Sequence, residues 1–396
     1  MNPTTTVVHI ITRLELGGAQ ENTLYTCEHL DKDRFRVILA YGPGGLLDDR
    51  ARSASDFTCW EVPELIREVR PRADINAWRH LKRRLQAEHK QHCAQGGAPG
   101  RFIVHTHSSK AGIVGRWAAA AARVPLIIHG IHGFGFHQGQ HPLKRGAFVS
   151  AEIATARVTH GFFSVSHASL EEARERRIVH RGHFARVIRS GMDLGAFTSK
   201  ANQKQASRRQ LDVPQDGEVI VSIANFKPQK DPLTMIRAFH EVARRRSRAI
   251  LLFAGDGPLR AEVEAAVMSA GLGERVRLLG WRRDIPELLA CADVVALSSI
   301  FEGLPRSAVQ AVAARRPFVG TRVDGTPEII REGKNGFLVP PQNPAALASA
   351  IESALDMRPL DPADVDRVQA WSTSRMVSDQ QEAYASLLSH RTEIQR

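Results

Sequence analysis

Cysteine is scarce in this 396-residue chain: Cys27, Cys59, Cys93 and Cys291 stand far apart, with no CxxC pair among them. Such scatter supports neither a disulfide framework nor a cysteine-based zinc site, and the compartment it fits is the reducing cytoplasm. Long apolar runs are missing too. No stretch reaches the roughly 18–20 residues that a membrane span needs; the nearest, running from Trp117 to Ile128, is broken by Arg123 and Pro125. No basic leader with a cleavage site precedes Val7-Val8-His9-Ile10-Ile11, which reads as a first strand, so no secretory signal is expected. Nucleic-acid-binding motifs and short internal repeats are absent as well, which argues against a nucleic-acid partner and a solenoid.

What is present is an ordinary globular composition, 43% hydrophobic and 24% charged, in a chain long enough for two or more cored domains. Charge is shared unevenly. Residues 1–200 hold 28 Lys and Arg against 18 Asp and Glu, while the remainder holds 26 against 24, and fifteen of the 17 histidines lie in the first half. A basic half of this kind calls for an anionic partner, and without a nucleic-acid motif an anionic membrane surface ranks first. Strand-like runs at 6–11, 36–41, 102–107, 126–130 and 161–165 alternate with helix-like stretches. The alternation restarts at 219–224, 250–255, 276–280, 293–298 and 318–321, after a polar run at 198–210 that reads as a linker. Alternation of this type predicts α/β architecture with parallel sheets covered by helices.

The most informative stretch is Cys291 to Arg316. A short apolar strand ends at Ser298, then Glu302-Gly303-Leu304-Pro305 leads into a helix whose first turn suits Pro305. Strand-to-helix crevices are where open α/β sheets bind ligands. Free amides at the helix start attract an anion, Gly303 permits close approach, and Glu302 can accept two sugar-type hydroxyls. A sugar nucleotide suits that combination. Other segments sit at comparable turns: Gly17-Gly18 after the first strand, Ile223-Ala224-Asn225-Phe226-Lys227-Pro228-Gln229-Lys230, Gly255-Asp256-Gly257-Pro258, and Leu279-Gly280-Trp281. In the first half, His105-Thr106-His107-Ser108-Ser109-Lys110 and His129-Gly130-Ile131-His132-Gly133-Phe134 both follow strands.

These motifs, in this order and over nearly the whole chain, resemble retaining glycosyltransferases of family 4 (glycosyl transferases group 1). The resemblance implies the GT-B fold: two facing Rossmann-like domains with parallel sheets and an interdomain cleft. It implies an acceptor-side domain at 1–190, a nucleotide-sugar-binding domain at 191–372 and a C-terminal helix at 373–396 crossing back to the first. It casts His132, Lys230 and Glu302 as catalytic. Donor binding falls to Gly17, Gly18, Asn225, Lys230, Gly255, Trp281, Glu302, Gly303, Leu304, Pro305, Arg306, Ser307 and Gln310. Three departures stand out. Asn225 replaces an Arg that grips the diphosphate in many relatives, Gln310 replaces the second Glu of the signature, and Arg315 replaces a helix-ending Gly, which predicts a differently ended helix. Gly191, at the passage into the hinge, is expected to let the chain turn, and Asp193 to order that hinge.

Metal and membrane complete the reading. Asp31-Lys32-Asp33 and Asp364-Val365-Asp366 follow no buried strand and read as solvated, and the histidines lack a carboxylate or cysteine at ligand spacing. No metal and no cofactor are therefore expected; Lys230, the Gly17 and Gly18 amides and the helix after Pro305 would hold the leaving diphosphate instead. Between residues 63 and 90, Ile75, Trp78, Leu81 and Leu85 mark one helix face among basic residues. That helix is either a surface helix with solvated charges or an interfacial one, with Arg79, Lys82, Arg83 and Arg84 as membrane contacts. The expected activity is sugar transfer from a nucleotide-diphospho-sugar donor to a lipid-linked or polysaccharide acceptor in cell-surface glycan synthesis. The protein would be cytoplasmic, or peripheral on the inner face of the plasma membrane. The alternatives are a catalytically silent relative with a binding role, and a sugar-nucleotide epimerase on the same fold.

Overall fold

The computed structural model describes residues 4–136 and 140–394. The chain divides into two compact units, one of Met1–Gly191 with Thr373–Arg396 and one of Met192–Ser372.

The first unit is built on seven parallel strands: β1 (Thr5–Arg13), β2 (Phe35–Gly42), β3 (Thr58–Glu61), β4 (Phe102–His107), β5 (Leu126–Ile131), β6 (Gly161–Ser164) and β7 (Phe184–Val187), in the order 3-2-1-4-5-6-7. Parallel strands need helices on both faces, and alternate residues of the central strands serve the two layers. Val7, Ile11, Leu39, Ile103 and Ile128 pack with Met376, Tyr384 and Leu387 of the C-terminal helix Thr373–Ile394. On the other face, Val8, Ile10, Ile38, Val104 and Ile127 pack with Ala77, Leu81 and Leu85 of helix Pro71–Ala94 and Ala111 and Ala118 of helix Ser109–Ala121. Strands β3 and β7, at the two edges, give weaker sequence signals, being four residues each with half-exposed or polar positions.

The second unit repeats the plan with six parallel strands: β8 (Glu218–Ile223), β9 (Ala249–Ala254), β10 (Val276–Gly280), β11 (Val294–Leu297), β12 (Phe318–Thr321) and β13 (Gly336–Val339), in the order 10-9-8-11-12-13. Two Rossmann-like α/β sheets are thus present, as expected.

Several local expectations need correction. The run 198–210 is no linker: it forms helices Gly195–Lys200 and Lys204–Gln210. Its polar residues are held by partners, Arg208 donating to Cys291 O at 3.1 Å, Gln215 O at 2.6 Å and Asp293 Oδ2 at 2.6 Å. Asp364 is buried and pairs with Arg331 at 3.0 Å rather than lying in solvent. Gly191 is required for close packing, not for a turn, since a Cβ there would stand 2.8 Å from Thr373 Cα and 3.0 Å from Met376 Cβ. Pro305 is the residue before the helix Arg306–Ala313, not its first turn.

Arg315 is the clearest correction. The helix ends as it would with glycine: Arg316 N donates to Ala311 O at 2.8 Å, Arg315 N donates to Val312 O at 2.9 Å, and Arg315 takes φ 59°. That is a left-handed helix stop with an L-residue in the glycine position. A Cβ in this conformation costs roughly 1–2 kcal/mol, partly offset by the extra freedom glycine has in the unfolded chain. Arg315→Gly is therefore expected to stabilise the protein by about 1 kcal/mol in urea unfolding. An unchanged or lowered midpoint would show that the arginine side chain compensates for its backbone.

Candidate functional site

In the second unit the strand order reverses between β8 and β11, since β8 is followed by its neighbour on one side and β11 lies on the other. Loops after these two strands therefore diverge at one point on the C-terminal edge, the switch point where doubly wound sheets take ligands. The β8 loop carries Asn225 to Lys230 and the β11 loop carries Ser298 to Pro305.

Polar contacts lock the two loops together. Ile300 N donates to Gln229 O at 2.8 Å, and Gln229 Nε2 donates to Phe301 O at 3.0 Å. Ser298 Oγ donates to both Lys230 O at 3.0 Å and Asp231 O at 2.8 Å. Asp231, at φ 44°, caps the helix Pro232–Arg245 by accepting from Thr234 N. On this frame Lys230 Nζ forms an ion pair with Glu302 Oε1. The same oxygen accepts from Ser299 Oγ at 2.6 Å, while Glu302 N donates to Asp324 Oδ2 at 2.5 Å. Glu302 is only 8% exposed, so its charge depends on these partners rather than on water.

The other predicted residues of this unit fall around the pair in different ways. Gly303 and Gln310 are half-buried, Leu304 and Ser307 buried, and no side chain caps the helix that starts at Arg306. Gly255 is obligatory: at φ 143° a Cβ would lie 1.9 Å from Ala224 O. Asn225 is half-buried, Lys227 exposed, and Trp281 projects with 67% of its surface open. Asp324 opens Asp324-Gly325-Thr326-Pro327-Glu328, which resembles a family segment, and Ser299 lies in the Cys291–Arg316 stretch, but the sequence assigns neither to the site; their partnership with Glu302 needs the register of β11 and β12.

In the first unit the corresponding reversal is at β1 and β4. Gly17, extended at φ 176°, precedes the helix Gly18–His29, whose start no side chain caps. Nearby, strand register gathers histidines. His9 of β1 stands opposite His105 of β4, and His107 stands opposite Gly130 of β5. His9 Nδ1 lies 2.9 Å from His107 Nε2, and His107 Nδ1 lies 2.9 Å from His132 Nε2. His105 Nδ1 meets Tyr384 Oη at 2.7 Å, and Gln380 Nε2 donates to the same hydroxyl at 2.7 Å. Burial lowers the pKa of His9 to about 3 and that of His132 to about 4, and it pushes His105 and His107 well below the ordinary range. These rings are therefore neutral at physiological pH. His129 does not join them; it bonds Thr106 Oγ1 at 2.9 Å and packs against Gly112. Sequence reading missed His9, which sits inside an apolar run.

Of the two Asp-x-Asp segments, Asp364 is buried against Arg331 at 3.0 Å. Asp31 lies between the helix Gly18–His29 and the start of β2, where its Oδ1 accepts from Asp33 N at 3.0 Å. Basic residues do line the helix Pro71–Ala94: Arg79, Arg83 and Arg84 are exposed, Lys82 is half-buried over the Trp78 ring, and Ile75 is 50% exposed.

The family model for glycosyl transferases group 1 matches residues 203–367, and that for the glycosyl transferase 4-like domain matches 17–191. A UDP-Gal:alpha-D-GlcNAc-diphosphoundecaprenol alpha-1,3-galactosyltransferase of Escherichia coli is 27% identical over 340 residues, covering 84% of this chain and 83% of its own. Among solved structures, Anabaena HepE in complex with UDP and glucose aligns with a TM-score of 0.75 at 19% identity, over 96% of this chain and 100% of HepE. Sucrose-phosphate synthase from Thermosynechococcus elongatus aligns with a TM-score of 0.79 at 21% identity, over 98% and 100%. At such identities the structural likeness speaks for the fold.

The buried pair makes a prediction independent of any ligand. Lys230→Ala leaves the Glu302 carboxylate without its cation and should cost about 3–5 kcal/mol in urea unfolding. A loss below about 1 kcal/mol, the range of solvated surface pairs, would show that water already screens Glu302.

Proposed function

The chain belongs to the group 1 glycosyltransferases, and on that premise we propose that it transfers a sugar, with retention of anomeric configuration, from a nucleoside-diphosphate sugar to a lipid-linked or glycan acceptor in cell-surface glycan synthesis. The observation that carries this reading is the Lys230–Glu302 pair, a half-buried lysine on a buried carboxylate at the switch point of the second sheet. Glu302 Oε1 is engaged by Lys230 and Ser299, so Oε2 is the oxygen offered to sugar hydroxyls. Charge-assisted bonds to a carboxylate are about twice as strong as neutral ones. Gln310, a neutral amide, binds a ribose correspondingly more weakly than a Glu would. The relative from E. coli, named for a diphosphoundecaprenol-linked substrate, supports the lipid-linked acceptor.

Departure of the nucleoside diphosphate concentrates negative charge on its oxygens. Lys230 and the uncapped start of the helix Arg306–Ala313 supply a fixed cation and fixed dipoles for that charge. We infer that no divalent metal is needed to hold the leaving group. Asn225 contributes a hydrogen bond without charge, which leaves Lys230 as the side-chain cation in this loop facing Glu302.

Thermal shift tests the donor site. With UDP-, GDP- and ADP-sugars at about 100 times Kd, one donor should stabilise wild type by about 2.7 kcal/mol, several degrees in Tm, and should not stabilise Glu302→Gln. No shift with any donor would favour a silent relative. In the transfer assay with that donor, strict loss in EDTA restored by Mg2+ or Mn2+ would overturn metal-free departure.

The basic face of the helix Pro71–Ala94 supports peripheral attachment to anionic lipid, each residue contributing about 1 kcal/mol near the surface. In flotation at moderate salt the protein should rise with anionic vesicles, and Arg79→Glu with Arg83→Glu should abolish this. Equal recovery with neutral vesicles would sink the idea.

A further inference from the structure

The buried histidines of the first unit have more ligand capacity than their hydrogen bonds use. His9, His105 and His107 each place a ring nitrogen within 4.8 Å of the others, and all three are buried. Among the described residues, Nε2 of His9 and Nε2 of His105 are enclosed without any hydrogen-bond partner. A buried ring nitrogen left unpaired is costly, and these two have no partner among the described residues.

We propose that His9, His105 and His107 form a binding site for a transition-metal dication of the Zn2+ class. The donor set is three imidazoles, the combination that suits Zn2+, Co2+, Ni2+ and Cu2+ and disfavours the oxygen-seeking Mg2+ and Mn2+. Three neutral imidazoles with one water is a known zinc environment. The outer partners such a site needs are also present. His105 Nδ1 is 2.7 Å from Tyr384 Oη, and His107 Nδ1 is 2.9 Å from His132 Nε2, so a metal would take the place of the 2.9 Å bond between His107 Nε2 and His9 Nδ1. Beside two of the three rings there is room for a water: His105, His107 and His132 line a cavity of about 30 Å³, with Thr26 and Gln380 supplying further polar groups. Gly130 keeps that space open, since a Cβ would stand 2.9 Å from His107 Nδ1 and 3.3 Å from His105 Nε2. The site is distinct from the leaving-group chemistry assigned to Lys230, and it would clamp β1 to β4.

The test is a Co2+ titration of the full-length, tag-free protein after treatment with chelator, read by visible absorption. One equivalent should produce the intense bands of four-coordinate cobalt, and one equivalent of Zn2+ should remove them. His105→Gln should abolish the bands. Tyr384→Phe, which keeps every ring and removes only an outer partner, should weaken Co2+ by about 10- to 100-fold. His183→Gln, which breaks the half-exposed His180–His183 ring contact elsewhere on this unit, should change nothing. Absence of four-coordinate bands in wild type would overturn the site whatever the variants do. So would bands that His183→Gln removes and Tyr384→Phe leaves untouched.

Discussion

A carboxylate with 8% of its surface exposed keeps its charge only if the protein supplies what water would have supplied. For Glu302 that supply is Lys230 Nζ and Ser299 Oγ on one oxygen, with its own amide anchored to Asp324. Each of these partners comes from a loop that leaves the C-terminal end of a parallel strand, so the ion pair depends on the strand order as much as on the residues. It also explains why Ser298, Gln229 and Ile300 spend their hydrogen bonds tying the β8 loop to the β11 loop. Loops free to separate would leave a buried charge alone. The backbone is shaped for the same purpose, with Asp231 held at φ 44° to start its helix immediately after Lys230.

The departures of this chain from its family's pattern differ in kind. Arg315 is a matter of backbone strain: the helix ends in the usual way and an arginine bears the left-handed conformation. It therefore gives no support to a silent relative. Asn225 and Gln310 each remove a full charge and keep a hydrogen-bonding group. That changes the strength of ligand contacts while leaving the fold alone. The Lys230–Glu302 pair is intact. A chain that had abandoned its chemistry would have no reason to keep a buried pair whose removal in favour of apolar packing is often neutral or stabilising.

The sequence made the central strands and the site loops legible because both depend on local patterns. The strand-like runs 102–107, 276–280 and 318–321 coincide with β4, β10 and β12. Edge strands β3 and β7 carry no such run, and the charged stretch 198–210 looked like a linker because the partners of Arg208 lie 83 and 85 residues away. The same limit governs the sites. Lys230 and Glu302 follow strands and could be named from their motifs. Asp324 lies 22 residues beyond Glu302 and needs the neighbouring strand to bring it close. His9 is hidden for a further reason: within Val7-Val8-His9-Ile10-Ile11 it looks like an interruption of a core strand, and only the pairing of β1 with β4 sets it against His105.

Tyr384 extends this to the end of the chain. The C-terminal helix covers an apolar face of the first sheet, and Tyr384 and Leu387 are buried in that layer with Val7, Leu39 and Ile103. A phenol in such a place needs a partner for its hydroxyl. It finds His105, 279 residues earlier, while Gln380 one turn back donates to the same oxygen. The helix thus does two things with one face: its apolar atoms complete the core, and its two polar groups orient a histidine of the buried cluster. Gly191 belongs to the same arrangement, because the close approach of Thr373 and Met376 leaves no space for a side chain there. The cluster shared by β1 and β4 is therefore completed only when residues near the end of the chain have folded onto its first strands.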